Sequence, residues 1–135
     1  MVNKIAIVGS RKYTNKIRIK EFIFKLKEKF GDDITIVSGG CKDGADRYAK
    51  KYALEFDMNY VEFPPRHHPY NQHCVLDRGD YGKKYAVWNY FERNKKIVEY
   101  SDKVVAFIPS GVTSKGTMNT IEHANTFEKK VIIFD

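Results

Sequence analysis

The sequence predicts an α/β fold: a three-layer sandwich in which a Rossmann-like parallel sheet carries helices on both faces. Short β-rich apolar runs alternate with amphipathic helical patterns along the chain, and this alternation calls for strand–helix–strand crossovers. Runs such as "IAIV" and "VVAF" are continuously apolar, which indicates strands buried on both sides. With 135 residues, 42% of them hydrophobic, we expect a single domain over residues 1–135 with a sizeable core.

The first half of the chain predicts three strands and two helices. Apolar side chains recur at helical spacing twice, Gly31 provides a helix C-cap, and Pro64 and Pro65 stop the third strand. In chain order the elements are strand 4–9, helix 15–31, strand 34–40, helix 44–56 and strand 59–63. The residues expected to face the core are Ile19, Phe22, Ile23, Leu26 and Phe30 in the first helix and Ala45, Tyr48, Ala49, Tyr52 and Phe56 in the second.

The second half begins with an irregular segment and then continues the alternation. The predicted elements are helix 83–101, strand 103–109, helix 117–130 and strand 131–134. Trp88 and Tyr90 are expected to pack in the core or between helices. Residues 64–82 show no periodic pattern, and a loop of that length in a compact domain usually covers or builds a site. We therefore expect this segment to be a lid.

The composition favours an anionic partner without choosing one. The net charge is +7 and the pI about 9.3, which suits nucleic acid or a small phosphorylated ligand, and equally a lysine-rich solvated surface. There is no apolar run near the roughly 20 residues that span a bilayer, no signal-peptide pattern and no disulfide framework, so we expect a cytoplasmic protein without a membrane partner. The histidines, cysteine and carboxylates of 64–82 lack metal-site spacing, and we predict neither metal nor cofactor.

Four stretches that we expect at the carboxyl ends of the strands carry the candidate binding residues, because ligands of open parallel sheets bind there. They combine glycines, hydroxyls, arginines and helix N-termini, whose free amides suit phosphate oxygens. The candidate ligand-binding residues are Gly9, Ser10, Arg11, Gly39, Gly40, Gly44, Asp46, Arg93, Asn94, Ser114, Lys115, Gly116 and Thr117. Neither the P-loop pattern nor the dinucleotide fingerprint is present. On the residues alone, these turns are as consistent with structural corners as with phosphate contacts.

Taken together and in order, "VGSR", "VSGGCKDGAD", "ERNKKIVEYSDKVVAF" and "SKGTMNTIEHA" resemble the SLOG superfamily. That superfamily groups nucleotide-binding Rossmann-like domains related to the Smf/DprA DNA-processing proteins and to the Lonely Guy (LOG) phosphoribohydrolases. The resemblance covers nearly all of the chain outside 64–82, and the best match is the small single-domain YspA-type branch found in bacteria and phages. It implies a nucleotide or nucleoside-phosphate ligand.

The resemblance implies roles for individual residues. Ser10 and Arg11 match the first-loop "GSR" of the family. Arg93 and Asn94 match its "RN" pair, and LOG enzymes place a catalytic arginine at the position of Arg93. The residues that match the family's glycine-rich second turn and its phosphate-binding "GT" are Gly39, Gly40, Gly44 and Asp46, and Gly116 and Thr117.

The leading hypothesis is a protein that senses or sequesters a nucleotide-derived small molecule. The alternative is a LOG-like N-glycosidase or another nucleotide hydrolase, with Arg93, Asp46 and Glu122 as candidate catalytic residues. The position of the LOG glutamate is Thr120 here, and Glu122 lies about 200° further round the helix, so enzymatic activity is left open. DNA binding, as in the Smf/DprA relatives, ranks third because no sequence feature reads bases. The LOG relatives also imply a homo-oligomer, for which "YAVWNYF" is a candidate interface.

Overall fold

The computed structural model describes residues 3–135; the two residues before Asn3 lie outside this range. The described chain contains five strands and four α-helices, with a single 3-10 turn at Arg78–Asp80. The elements are β1 (Asn3–Gly9), α1 (Lys16–Phe30), β2 (Ile34–Ser38), α2 (Gly44–Glu55), β3 (Asn59–Glu62), α3 (Trp88–Tyr100), β4 (Lys103–Phe107), α4 (Lys115–Thr126) and β5 (Lys130–Phe134). None of the helices in residues 3–135 has the length and apolarity needed to cross a bilayer.

The strands form one parallel sheet in the order β3-β2-β1-β4-β5, which confirms the predicted Rossmann-like α/β fold. From β1 the chain builds outward through β2 and β3 on one side, then returns to add β4 and β5 on the other. The direction of winding therefore reverses between β1 and β4. Loops that follow these two strands diverge and leave a crevice at their carboxyl ends, the usual ligand position in open α/β sheets.

The two faces of the sheet carry separate cores. Successive side chains of a strand point to opposite faces, so Ile5 and Ile7 pack under α1 and α2, while Ala6 and Val8 pack under α3 and α4. The core residues predicted for the first two helices all lie on the first of these faces, fully or partly buried. The three layers of the sandwich are thereby fixed around β1.

Helix α3 is shorter than predicted at its N-terminus. The expected helix over 83–101 begins at Trp88 instead, because the backbone before it is bonded elsewhere: Gly82 N donates to His68 O and Lys83 N to Arg66 O. Trp88 is 63% exposed, so the prediction that it packs in the core or between helices is wrong. Tyr90, two residues further on, is partly buried.

Helix α4 is displaced relative to the prediction of 117–130. It begins two residues earlier, at Lys115, and ends at Thr126. Glu128 adopts a left-handed backbone conformation with φ of 57°, which an α-helix cannot accommodate, and the chain then turns into β5.

The irregular segment 64–82 lies against the edge strand β3. Glu62 N donates to His73 O at 2.9 Å, and Glu62 forms an isolated parallel bridge with Cys74. Within the described residues, no group of three histidine, cysteine or carboxylate side chains is placed to hold a metal ion.

Candidate binding cleft

A cleft of about 350 Å³ opens where β1 and β4 diverge. Eleven of the thirteen candidate binding residues line it, contributed by four separate stretches of sequence. They are Gly9, Ser10, Arg11, Gly39, Asp46, Arg93, Asn94, Ser114, Lys115, Gly116 and Thr117. Gly40 and Gly44 lie outside this cleft: Gly40 lines a neighbouring chamber, and Gly44 packs beneath the first loop.

The loop after β1 is fixed by its backbone. Ser10 O accepts hydrogen bonds from Tyr13 N at 3.1 Å and Ala45 N at 3.2 Å, and Ser10 Oγ accepts from Lys12 N at 3.0 Å. The Ser10 side chain is thus occupied in holding its own turn. Arg11 is exposed, belongs to none of the ion pairs among residues 3–135, and lies with its guanidinium carbon 5.9 Å from the ring centroid of Tyr90.

The turn after β2, residues 39–44, is packed tightly against protein atoms; we call it the β2 turn. A Cβ on Gly40 would lie 2.6 Å from Cδ of Glu62. One on Gly44, which has φ of 67°, would lie 2.2 Å from Ser10 O. Both positions need glycine because the fold itself fills the space.

Glu62, the last residue of β3, packs its carboxyl group against Gly40 of the β2 turn. Its side chain is almost completely buried and accepts from Lys50 Nζ at 2.8 Å, Tyr60 OH at 2.8 Å and Asn71 Nδ2 at 2.6 Å. Burial pushes the pKa of Glu62 upward, but the hydrogen bonds and the Lys50 charge outweigh it and lower that pKa below its ordinary value. This network was not predicted, because the pattern of "NYVEF" indicates only that Glu62 lies in a strand.

Arg93 reaches from α3 to the β2 turn. Its Nη1 donates to Gly39 O at 2.9 Å, and its Nε donates to Asn94 Oδ1 at 3.0 Å. A Cβ on Gly39 would lie 2.5 Å from Arg93 Nη1 and 3.0 Å from Asp46 Oδ2, so the guanidinium and this carboxyl group both pack against Gly39.

Asp46 is the acid of the cleft. Burial raises its pKa to about 6, an effect only partly offset by the positive charge of Arg93 and by the hydrogen bond from Cys41 N at 3.2 Å. Burial likewise lowers the pKa of Arg93, with the charge of Asp46 acting in the opposite direction. A desolvated carboxyl group beside an arginine can orient that arginine or exchange a proton near neutral pH.

The turn after β4, residues 109–116, is open; we call it the β4 turn. A Cβ on Gly111 or Gly116 would have no neighbour within 4 Å. The N-cap Ser114 makes no side-chain cap hydrogen bond, because its Oγ pairs with Thr117 Oγ1 at 2.7 Å. The first amides of α4 are therefore left without an intrahelical or capping partner at the edge of the cleft.

Asn94 ties α3 to the start of α4. Its Nδ2 donates to Gly116 O and to Asn119 Oδ1, both at 3.2 Å, while its Oδ1 accepts from Arg93. Asn94 therefore orients Arg93 relative to the N-terminus of α4. Thr120 is buried in the same helix and donates to Gly116 O at 3.1 Å.

Glu122 and most of segment 64–82 lie away from the cleft. Glu122 is exposed and does not line it. The segment 64–82 contributes no residue to it; only Pro65 and His68 reach the neighbouring chamber, beside Gly40.

Sequence reasoning missed several residues of the cleft wall. Tyr90 has the guanidinium carbons of Arg11 and Arg93 each 5.9 Å from its ring centroid. Its place three residues before Arg93 on a helix was the available signal, because residues three apart share a helix face. The other lining residues outside the predicted binding set are Val8, Lys12, Cys41, Phe91, Ile97, Val112, Thr113 and Thr120.

Comparisons with known proteins agree with the fold and with the motifs. The family model described as "YspA, cpYpsA-related SLOG family" matches residues 3–70. No curated protein matches the chain significantly. A molybdenum cofactor binding protein from the phototrophic bacterium Rippkaea orientalis superposes with a TM-score of 0.73 at 18% identity, covering 98% of this chain and 76% of the other.

Two structures of the molybdenum cofactor carrier protein from Chlamydomonas reinhardtii give a similar result. They superpose with TM-scores of 0.68 and 0.65 at 16% identity, covering 98% and 99% of this chain and 76% of each of theirs. At this level of identity the similarity establishes a shared fold. The family match covers half of the chain, and the protein belongs to the YspA, cpYpsA-related SLOG family.

Proposed function

We propose that this member of the SLOG superfamily binds a phosphorylated small molecule of the nucleotide class in the cleft between β1 and β4, as a sensor or sequestering protein. The observation that carries the proposal is the uncapped N-terminus of α4, which lies open at the cleft beside Gly116. Free helix amides and the helix dipole favour a phosphate group at this position.

The charges around the cleft support the same ligand class. Arg11 and Lys115 are exposed cations without ion-pair partners among the described residues, and Arg93 is held in place by Gly39 and Asn94. Arginine pairs with phosphate oxygens through parallel hydrogen bonds, and a pre-positioned side chain loses less entropy on binding. A base or other planar group has Tyr90 and Phe91 available as stacking surfaces in the same cleft.

The structural neighbours support a small-molecule ligand for this fold. The protein from Rippkaea orientalis is described as binding the molybdenum cofactor, and the protein from Chlamydomonas reinhardtii as carrying it. We therefore include the molybdenum cofactor with the nucleotides among the ligands to be tested. The nucleotide class remains our first choice because the motifs of the chain match a nucleotide-binding superfamily.

Ligand binding is tested by native mass spectrometry of the purified protein followed by identification of released small molecules, and by thermal shift across a nucleotide panel. A ligand at a hundredfold excess over its Kd stabilises a protein by about 2.7 kcal/mol, which raises the Tm by several degrees. We expect Arg11→Ala and Thr117→Val to reduce this shift. Arg47→Ala, an exposed arginine of α2 outside the cleft, is the matched control. No bound molecule and no shift with any ligand would contradict the proposal.

A second candidate function, nucleotide hydrolysis, is favoured by one observation: the pKa of Asp46 is raised to about 6 beside Arg93. A carboxyl group with this pKa can act as general acid or base near neutral pH. Release of free base or inorganic phosphate from nucleoside monophosphates would reveal it. Asp46→Asn would abolish that release, whereas Glu122→Gln, at an exposed site away from the cleft, would leave it unchanged.

We further propose that the protein forms a homo-oligomer through the start of α3. Tyr85, Val87, Trp88 and Phe91 are 42–63% exposed and adjacent along the chain, an apolar surface unusual for a face that only meets water. Phe91 also lines the cleft, so this contact would lie beside the ligand. Analytical ultracentrifugation tests it: we expect a dimer or larger assembly that Trp88→Glu dissociates, and a wild-type monomer at micromolar concentration would contradict it.

A further inference from the structure

A second chamber adjoins the cleft and is lined in part by different residues. It has a volume of about 430 Å³ and lies between the β2 turn and the start of segment 64–82. Five residues are shared with the cleft and form a common wall: Arg11, Gly39, Cys41, Tyr90 and Arg93. Gly40, Lys42, Asp43, Pro65 and His68 belong to the second chamber alone.

The second chamber carries more positive charge than its own carboxylate balances. Arg11, Arg93 and Lys42 supply three cations, and Asp43 is the single acid in its lining. None of these four side chains takes part in an ion pair among residues 3–135. An excess of cations over carboxylates on one concave surface raises the local concentration of anions.

The cleft has a similar excess of positive charge, since Asp46 is the single acid in a lining that includes Arg11, Lys12, Arg93 and Lys115. At the α4 end of the cleft, Lys115 and the free amides of that helix add positive charge that the second chamber does not share. Tyr90 lines both cavities, and the guanidinium carbons of Arg11 and Arg93 each lie 5.9 Å from its ring centroid. The two arginines therefore lie at the boundary and are available to groups on either side of it.

We propose that the second chamber binds a second anionic group of the same ligand, so that the preferred ligand is a nucleotide carrying two separate phosphoryl groups and lying across the Arg11–Tyr90–Arg93 wall. This inference rests on the proposed function. One phosphoryl group occupies the N-terminus of α4, the other meets Lys42 and the two arginines, and the sugar or base between them packs on Tyr90. A nucleoside monophosphate fills the cleft alone.

Lys115 and Lys42 provide a matched pair of variants for the test. Each is an exposed lysine, and each lines one of the two cavities and not the other. The probes are nucleoside 5′-monophosphates and the corresponding nucleoside 3′,5′-bisphosphates, titrated by calorimetry into the wild-type protein, Lys42→Ala and Lys115→Ala. We expect the bisphosphates to bind wild-type protein about tenfold more tightly, Lys115→Ala to weaken both probes, and Lys42→Ala to weaken only the bisphosphates.

The outcomes separate this inference from the function on which it rests. If monophosphates bind and depend on Lys115 but bisphosphates bind no more tightly, the second subsite is refuted and the proposed function stands. Equal effects of Lys42→Ala on both probes also refute it. If neither probe binds wild-type protein, the second subsite is refuted, and the proposed function is decided separately by the wider ligand panel.

Discussion

The β2 turn and the β4 turn look alike in the sequence and behave oppositely in the structure. Each follows a strand next to β1, contains glycines and enters a helix at the cleft. In the β2 turn, the glycines are surrounded: Gly40 by Glu62 and Gly44 by Ser10. In the β4 turn, Gly111 and Gly116 have no atom within 4 Å of the place a Cβ would take.

The two turns show that glycine serves two different purposes in this structure. In the β2 turn, other atoms of the chain fill the space beside each glycine. The turn therefore has a structural role and helps to position Arg93 and Asp46. In the β4 turn the missing side chain leaves unoccupied space beside free helix amides, which is why we assign the proposed phosphate to that turn. A glycine-rich turn is thus informative about ligands only when the space it leaves is still empty.

The largest expected effect on stability is that of Gly44→Ala, which adds a side chain inside the crowded β2 turn. The new Cβ would lie 2.2 Å from Ser10 O, in a left-handed conformation that costs any other residue about 1–2 kcal/mol even without a clash. We expect a loss of about 3 kcal/mol or more in the free energy of unfolding, measured by chemical denaturation.

The control for that prediction is Gly111→Ala in the β4 turn. Gly111 has φ of 76° but open surroundings, so its substitution isolates the conformational cost from the steric one. Equal losses at the two positions would show that the β2 turn is not braced as described.

We expect Glu62→Gln to lower the free energy of unfolding by nearly as much, about 2–3 kcal/mol. The substitution removes the buried negative charge that pairs with Lys50, and it places an amide donor opposite groups that themselves donate. Glu99→Gln, in an exposed pair with Lys95 at 3.9 Å, should cost under about 0.5 kcal/mol.

The contribution of Glu62 also depends on pH. Its native pKa is lowered, so its stabilising effect is present above the unfolded-state value of about 4.3 and is lost as pH falls through the native value. Denaturation curves of both proteins should therefore converge in acid. A gap that stays constant with pH would mean that the ion pair contributes nothing.

Asp46→Asn should raise the free energy of unfolding, and by less than Glu62→Gln lowers it. The pKa of Asp46 is raised to about 6, so the native state holds this proton more strongly than the unfolded chain, and stability falls as pH rises from about 4 to about 6. We expect the asparagine variant to gain about 2 kcal/mol relative to wild type by pH 7 and to match it near pH 4. A variant less stable than wild type at pH 7 would show that Asp46 is needed to neutralise Arg93.

The smallest effect on stability is expected for Gly116→Ala in the β4 turn. The position is helical and open, so alanine should stabilise the protein slightly, by under about 1 kcal/mol. Its methyl group would occupy space that we assign to phosphate, so affinity for a nucleotide should fall while stability does not. Loss of stability there would place Gly116 with the structural glycines and remove the contrast between the two turns.

The fold was predictable because its signals are local. Strand β1 and helix α1 follow from apolar runs and helical spacing, and each predicted end falls within a residue of the observed one. The start of α3 was not predictable from the sequence. It depends on the hydrogen bond from Lys83 N to Arg66 O, a contact between loops that no local pattern encodes.

The sequence predicted most of the residues that line the cleft, and it did not predict the contacts that they make with one another. The order of the motifs and the parallel topology place Arg93 and Thr117 at one edge of the sheet. That Asn94 serves to tie two helices, or that Glu62 lies buried under Gly40, depends on side-chain contacts between strands and loops distant in sequence. Trp88 shows the same limit: helical spacing does not reveal which face of a helix has a partner.

The pairing of β1 with β4 has a consequence for the nascent chain. Ile5 and Ala6 pair with Lys103 and Val104, so a ribosome must release about a hundred residues before the central strand gains its second neighbour. Until then β1 presents an apolar open edge, the kind of surface that associates with other chains or with chaperones. The cleft lacks β4 and α4 during this time, so the ligand that we propose can assist folding only after α4 has emerged.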